Sequence, residues 1–122
     1  MSHYSTIKTK FKFKVHLINA LKDIYGDLVK DGHGSKSKIY GYYGAEFDVD
    51  IAVRTRGKVL SADIGFNKGS DGFYEAVIDD MHTGELRKIV GKYAESVIKT
   101  RLPRKYQIIE NNGEEITIKQ LY

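Results

Sequence analysis

Cysteine is absent from this sequence. That absence excludes disulfide frameworks, zinc–thiolate sites, iron–sulfur ligation and thiol nucleophiles together. Apolar runs are short, none approaching the roughly 18 residues of a membrane span. The opening MSHYSTIKTK lacks the charged-then-apolar pattern of a secretory leader, so a cytoplasmic chain is expected. Proline occurs once, as Pro103. No internal repeat, linker or low-complexity tract interrupts the 122 residues, which fit a single domain with its own core.

What is present is a mixture of 41% hydrophobic and 30% charged residues with a formal charge of +4. The charge is segmented. Residues 1–30 sum to +4, residues 31–80 to −3 and residues 81–122 to +3, so both ends are basic around an acidic middle. A uniformly basic nucleic-acid binder has a different profile.

Alternation over residues 4–12 sets Ile7, Thr9 and Phe11 against Lys8, Lys10 and Lys12, the period of a half-buried strand. The lysines are expected on an open sheet face, opposite acidic neighbours; Lys14 belongs to the turn into a helix. From there Leu17, Ile18, Leu21, Ile24, Tyr25 and Leu28 recur every three or four positions, predicting an amphipathic helix that ends by Gly32. Four strands are expected over 38–43, 46–54, 58–66 and 73–80, joined by short turns that favour an antiparallel meander. In the second, Phe47, Val49, Ile51 and Val53 are the inward set. Residues 84–102 predict a second helix, with Leu86, Ile89, Val90, Tyr93, Ala94, Val97 and Ile98 as its stripe, Thr83 as its cap and Pro103 at its exit. A hairpin about Asn112–Gly113 follows. The order β-α-β-β-β-β-α plus a C-terminal hairpin implies an α+β, two-layer domain: a twisted antiparallel sheet with both helices on one face.

Few residue patterns carry chemistry. His3, His16, His33 and His82 show no His-x-x-x-His spacing, which disfavours a metal site; His3 is read as tying down the first strand. Gly32 and Gly34 in DGHGSKS follow a helix and precede a strand, the reverse of a phosphate-binding loop. Asp63, Asn67 and Asp71 lack the spacing of a calcium loop. Glu46, Asp48, Asp50, Asp63 and Glu75 would share the sheet face turned from the helices. Paired carboxylates there could do acid–base work or hold Mg²⁺. With no Ser–His, Lys–carboxylate or Gly-loop partner to complete a catalytic set, a solvated, charge-mixed face is the favoured reading. No catalytic residue, metal or cofactor is expected. Lys99, Arg101, Arg104 and Lys105 crowd a helix C-terminus, where cations suit the macrodipole and could touch phosphates. Tyr40, Tyr42 and Tyr43 on a Gly-rich strand offer a partner surface, since tyrosine is favoured at interfaces; ordinary edge-strand packing is the competing reading.

The opening MSHYSTIKT, the Leu-rich helix, YGYYG, DIGFNKGSDGFYEAVIDD and KYAESVIKTRL together resemble the hypothetical chloroplast open reading frame thirty-five family, found in cyanobacteria, some plastids and phages. The likeness spans nearly the whole chain; DMHTGEL after Asp79 lacks the tryptophan of many members. The resemblance implies a domain without an assigned activity, in a cytoplasm or a plastid stroma. The leading expectation is a non-enzymatic accessory or regulatory module that binds a protein partner. Nucleic-acid binding through the basic helix is the alternative, and an enzyme on the carboxylate face comes third.

Overall fold

The computed structural model describes residues 3–101, 106–111 and 116–120, with side chains over 3–100. It is an α+β structure of two helices and antiparallel strand ladders. In chain order the elements are β1 (Tyr4–Lys8), α1 (Lys14–Tyr25), β2 (Val29–Asp31), β3 (Ser37–Tyr40), β4 (Glu46–Val49), β5 (Ile51–Val53), β6 (Ile64–Lys68), β7 (Tyr74–Asp79), α2 (Glu85–Arg101), β8 (Tyr106–Asn111) and β9 (Ile116–Gln120). Five strands make the main sheet in the order β1-β7-β6-β5-β2; β3 pairs with β4, and β8 with β9.

One face of the main sheet carries Ile51, Val53, Ile64, Phe66, Ala76 and Ile78, and against it pack Leu17, Leu21 and Tyr25 of α1 and Ile89 of α2. Burying each large apolar side chain contributes roughly 1.5–3 kcal/mol. The stripe at spacings of three and four thus does what its periodicity predicts. α1 stops at Gly26, whose positive φ lets its N–H turn back to the Lys22 carbonyl. A phenol–carboxylate bond, Tyr25 Oη donating to Glu85 Oε1 at 3.0 Å, ties the end of α1 to the start of α2.

The other face of the sheet is not open. Ile39 of β3 and Val49 of β4 lie on Ala52 and Val77, forming a second buried cluster. A β3–β4 ribbon therefore covers the side on which solvent-facing lysines and carboxylates were expected. Close approach requires small residues beneath it: a Cβ on Gly65 would meet Val49 Cγ1 at 2.4 Å.

Several expected elements are corrected. The strand over 46–54 is two strands in two sheets, split at Asp50, whose N–H donates to the Phe66 carbonyl and to Asn67 Oδ1. Phe47 is consequently not in the main core. The strand over 58–66 begins only at Ile64, because the Thr55 carbonyl gathers the N–H groups of Lys58, Val59 and Leu60 into a turn. Residues 42–44 form a 3₁₀ turn after β3, and 29–31 form the unforeseen β2. The first strand ends at Lys8, so Lys10 and Lys12 have no cross-strand neighbour; Lys8 stands directly across from Glu75. Lys14 opens α1 and pairs with Asp31 at 2.8 Å. Val90 is 38% exposed and leaves the expected stripe of α2, whereas Leu86, Ile89 and Tyr93 pack on the main core and Ala94, Val97 and Ile98 are half-buried. Thr83 Oγ1 bonds the Asp80 carbonyl in place of capping. The C-terminal hairpin is present as β8 and β9; its turn at Asn112–Gly113 and Pro103 lie outside the described residues.

Candidate functional site

Where β1 meets β7, Tyr4 and Asp79 face each other across the ladder on the ribbon side. The Tyr4 ring is fixed by its hydroxyl, which donates to the Asp63 carbonyl at 2.7 Å and the Tyr40 carbonyl at 3.1 Å. Burial, followed by the charges of Asp63 and Asp79, pushes this phenol far above its ordinary range, so it stays a donor. Gly41 passes against the ring so closely that a Cβ would fall 2.3 Å from Tyr4 Cε2. Beyond Gly41 the chain turns through Tyr42–Gly44, with Tyr43 at φ 55, a left-handed conformation uncommon for a bulky residue. β4 then brings Phe47 to 4.8 Å from Tyr4, ring to ring.

These elements enclose a hollow of about 340 Å³ bordered by His3, Tyr4, Tyr42, Tyr43, Phe47 and Asp79. Asp79 is 1% exposed. Its Oδ1 accepts the Met81 N–H at 2.9 Å, while Oδ2 has no hydrogen-bond partner among the described residues. No fully buried side-chain oxygen among those residues lacks a partner; the Oδ2 atom therefore reaches solvent, and the hollow is where Asp79 meets it. Beside it, Asp80 accepts from Ser5 Oγ and pairs with His3 Nε2 at 2.9 Å. Aromatic walls around a carboxylate attract a cation through ring quadrupoles and charge together.

Of the three tyrosines singled out by sequence, Tyr42 and Tyr43 line this hollow. Tyr40 does not; its ring lies under the Arg54 guanidinium at 5.9 Å. The five carboxylates are dispersed because the ribbon folds over their expected face. Glu46 and Asp48 share Lys38 on β3. Asp50 takes Lys36 Nζ at 2.8 Å and the Lys68 N–H at 2.9 Å. Asp63 is buried, accepting the backbone N–H groups of Tyr40 and Arg56, and Glu75 faces Lys8. In the basic set, Lys99 is held by Glu95 at 2.7 Å. The Arg101 side chain, Arg104 and Lys105 lie outside the described residues.

Tyr4, Phe47 and Asp79 were not among the expected site residues. Asp79 carried a sequence signal as a carboxylate directly after the apolar run AVI, and Tyr4 lies in the opening MSHYSTIKT that carries the family resemblance. Elsewhere, His82 Nε2 lies 2.8 Å from Ser61 Oγ and also receives the Ser61 N–H, which makes that nitrogen a backbone acceptor. Among the described residues no three His, Cys, Asp or Glu side chains converge as a metal site requires, and no helix is long and apolar enough to cross a membrane.

Compared with known proteins, residues 20–120 match a family described as a protein of unknown function, DUF1257. No curated protein and no solved structure matches significantly.

Proposed function

We propose, from the premise that the chain belongs to the DUF1257 family of unknown function, that it is a small accessory or regulatory protein without enzymatic activity that docks on another protein. Its docking surface is the aromatic rim around Tyr42, Tyr43 and Phe47. The observation that carries the reading is Tyr43, 88% exposed and held in left-handed backbone beside the partly exposed Phe47. Backbone strain beneath an exposed aromatic costs stability and returns none to the core, whereas exposed aromatics are what interfaces use as anchors. The opening MSHYSTIKT and DIGFNKGSDG support a finer placement with the chloroplast open reading frame thirty-five proteins of cyanobacteria, plastids and phages, working in cytoplasm or stroma.

Crosslinking capture from the native lysate, with the wild-type chain beside a Tyr43→Asn, Phe47→Ser double variant, tests the docking surface. A protein retained by wild type and lost by the variant is expected. Identical sets on both, or nothing above background on wild type, would overturn it. Nucleic acid is not the expected partner, since Lys99 is already tied to Glu95. A mobility assay with nonspecific DNA or RNA at low salt should show no shift; a salt-sensitive shift would favour the basic helix.

A further inference from the structure

We infer that the hollow between β1, β7 and the β3–β4 ribbon binds the ammonium group of a lysine side chain presented by the partner protein. This rests on the docking surface proposed above and names what it grips.

The charge of the ligand follows from Asp79. It is 1% exposed and borders the hollow, and one of its two oxygens has no hydrogen-bond partner among the described residues. A carboxylate held out of bulk water with one unused oxygen favours a cationic donor. The walls agree, because Tyr4, Tyr42, Tyr43 and Phe47 present rings, with Tyr4 and Phe47 4.8 Å apart and Tyr42 and Tyr43 6.4 Å apart. Ring faces attract alkylammonium groups and offer no lone-pair cage. A hard metal ion needs about six oxygen ligands, and one free carboxylate oxygen does not supply them.

The choice of lysine over arginine follows from the same carboxylate. A guanidinium seeks a bidentate fork on both oxygens, but Oδ1 is engaged by the Met81 N–H. An ammonium is a point charge that one oxygen and neighbouring π faces can satisfy. The choice of a side chain over a free small amine follows from the rim. Tyr43 is 88% and Phe47 39% exposed, apolar surface that an ammonium head inside the hollow would leave wet. A four-carbon lysine stem would cover it.

The test is a nuclear magnetic resonance titration of the intact ¹⁵N-labelled chain with Nα-acetyl-lysine N-methylamide, its neutral Nε-acetyl analogue and choline. The expected result is saturable shifts of the amides around Tyr42, Tyr43, Phe47 and Asp79 with the lysine probe. Affinity should fall about tenfold or more for the neutral analogue. Asp79→Asn keeps an oxygen for the Met81 N–H and removes the charge; it should lose a similar factor. Tyr43→Asn, which suits the left-handed backbone, is the second variant should Asp79→Asn fold poorly, and should weaken binding severalfold. Equal response to charged and neutral probes, no saturation by lysine, or saturation by choline alone would overturn the assignment. If lysine fails while the double variant still loses its captured protein, the cation assignment falls and the docking surface stands. If lysine binds but capture is unchanged, the docking surface falls, and with it the assignment of the hollow to a partner's side chain.

Discussion

At Gly65 the main sheet and the ribbon approach so closely that a Cβ would sit 2.4 Å from Val49 Cγ1 and 3.0 Å from Ile39 Cδ1, both on fully buried side chains. Gly65→Ala should therefore destabilise the fold by about 1–3 kcal/mol, the usual cost of overpacking. Urea titration should show a lower midpoint at unchanged slope; an unshifted midpoint would mean that the ribbon yields freely. The buried carboxylates illustrate what residue patterns can and cannot reveal. Ile64 and Phe66 alternate as core residues should, and both are fully buried. Asp63 stands two positions before Gly65 and read as solvent-facing, yet it is 3% exposed. Its environment is set by the N–H groups of Tyr40 and Arg56 and by Arg54 at 3.9 Å; period-two alternation contains no information about such partners. Among the described residues Asp79 differs from Asp63 in having a single engaged oxygen, a distinction visible only in three dimensions.

The elements whose definition is local were the legible ones. α1 and α2 follow from apolar spacing, and Gly26 ends the first of them. The run 46–54 was not resolvable, because two successive strands with one continuous alternation belong to two different sheets. What divides them is Asp50, held by Lys36 Nζ, by the Lys68 N–H and through the Asn67 side chain. Nearby, Asp31 receives Lys14 Nζ and the His33 N–H. Partial burial alone would raise both acids. The hydrogen-bonding lysines and backbone donors outweigh it, and each carboxyl lies below its ordinary 3.8. A folded-state value below the unfolded one means stability that is present above about pH 4 and lost as pH falls through the folded-state value. The urea midpoint is accordingly expected to be level from neutrality to about pH 5 and to drop below pH 4. Combining Asp31→Asn with Asp50→Asn should lower the neutral-pH midpoint and flatten the acid decline. An unchanged acid profile in that variant would assign acid sensitivity to other groups. On the alkaline side Lys14, raised mainly by its hydrogen bond to Asp31, holds its contribution up to its ordinary 10.5 and loses it only above.

Among the described residues β6 is the central strand of the main sheet, with a strand on either side, the helices on one face and the ribbon on the other. Native-state hydrogen exchange should find the slowest amides between Ile64 and Phe66 and in the facing part of β7, with edge strands β1 and β2 exchanging sooner. Uniform protection across all five strands would instead indicate a single cooperative unit. The three-layer arrangement was only partly legible, since helix placement follows from local stripes whereas the ribbon's position depends on contacts between distant residues. One such contact, the register that sets Tyr4 against Asp79, decides which parts of the chain must come together for the hollow to exist. β1 and its partner β7 are far apart in the chain, so a long loop must close before the sheet is complete. The hollow draws its walls from the start of β1, the ribbon and the end of β7. A fragment that ends before Asp79 lacks one wall of the hollow, and cation binding therefore reports that the sheet has closed.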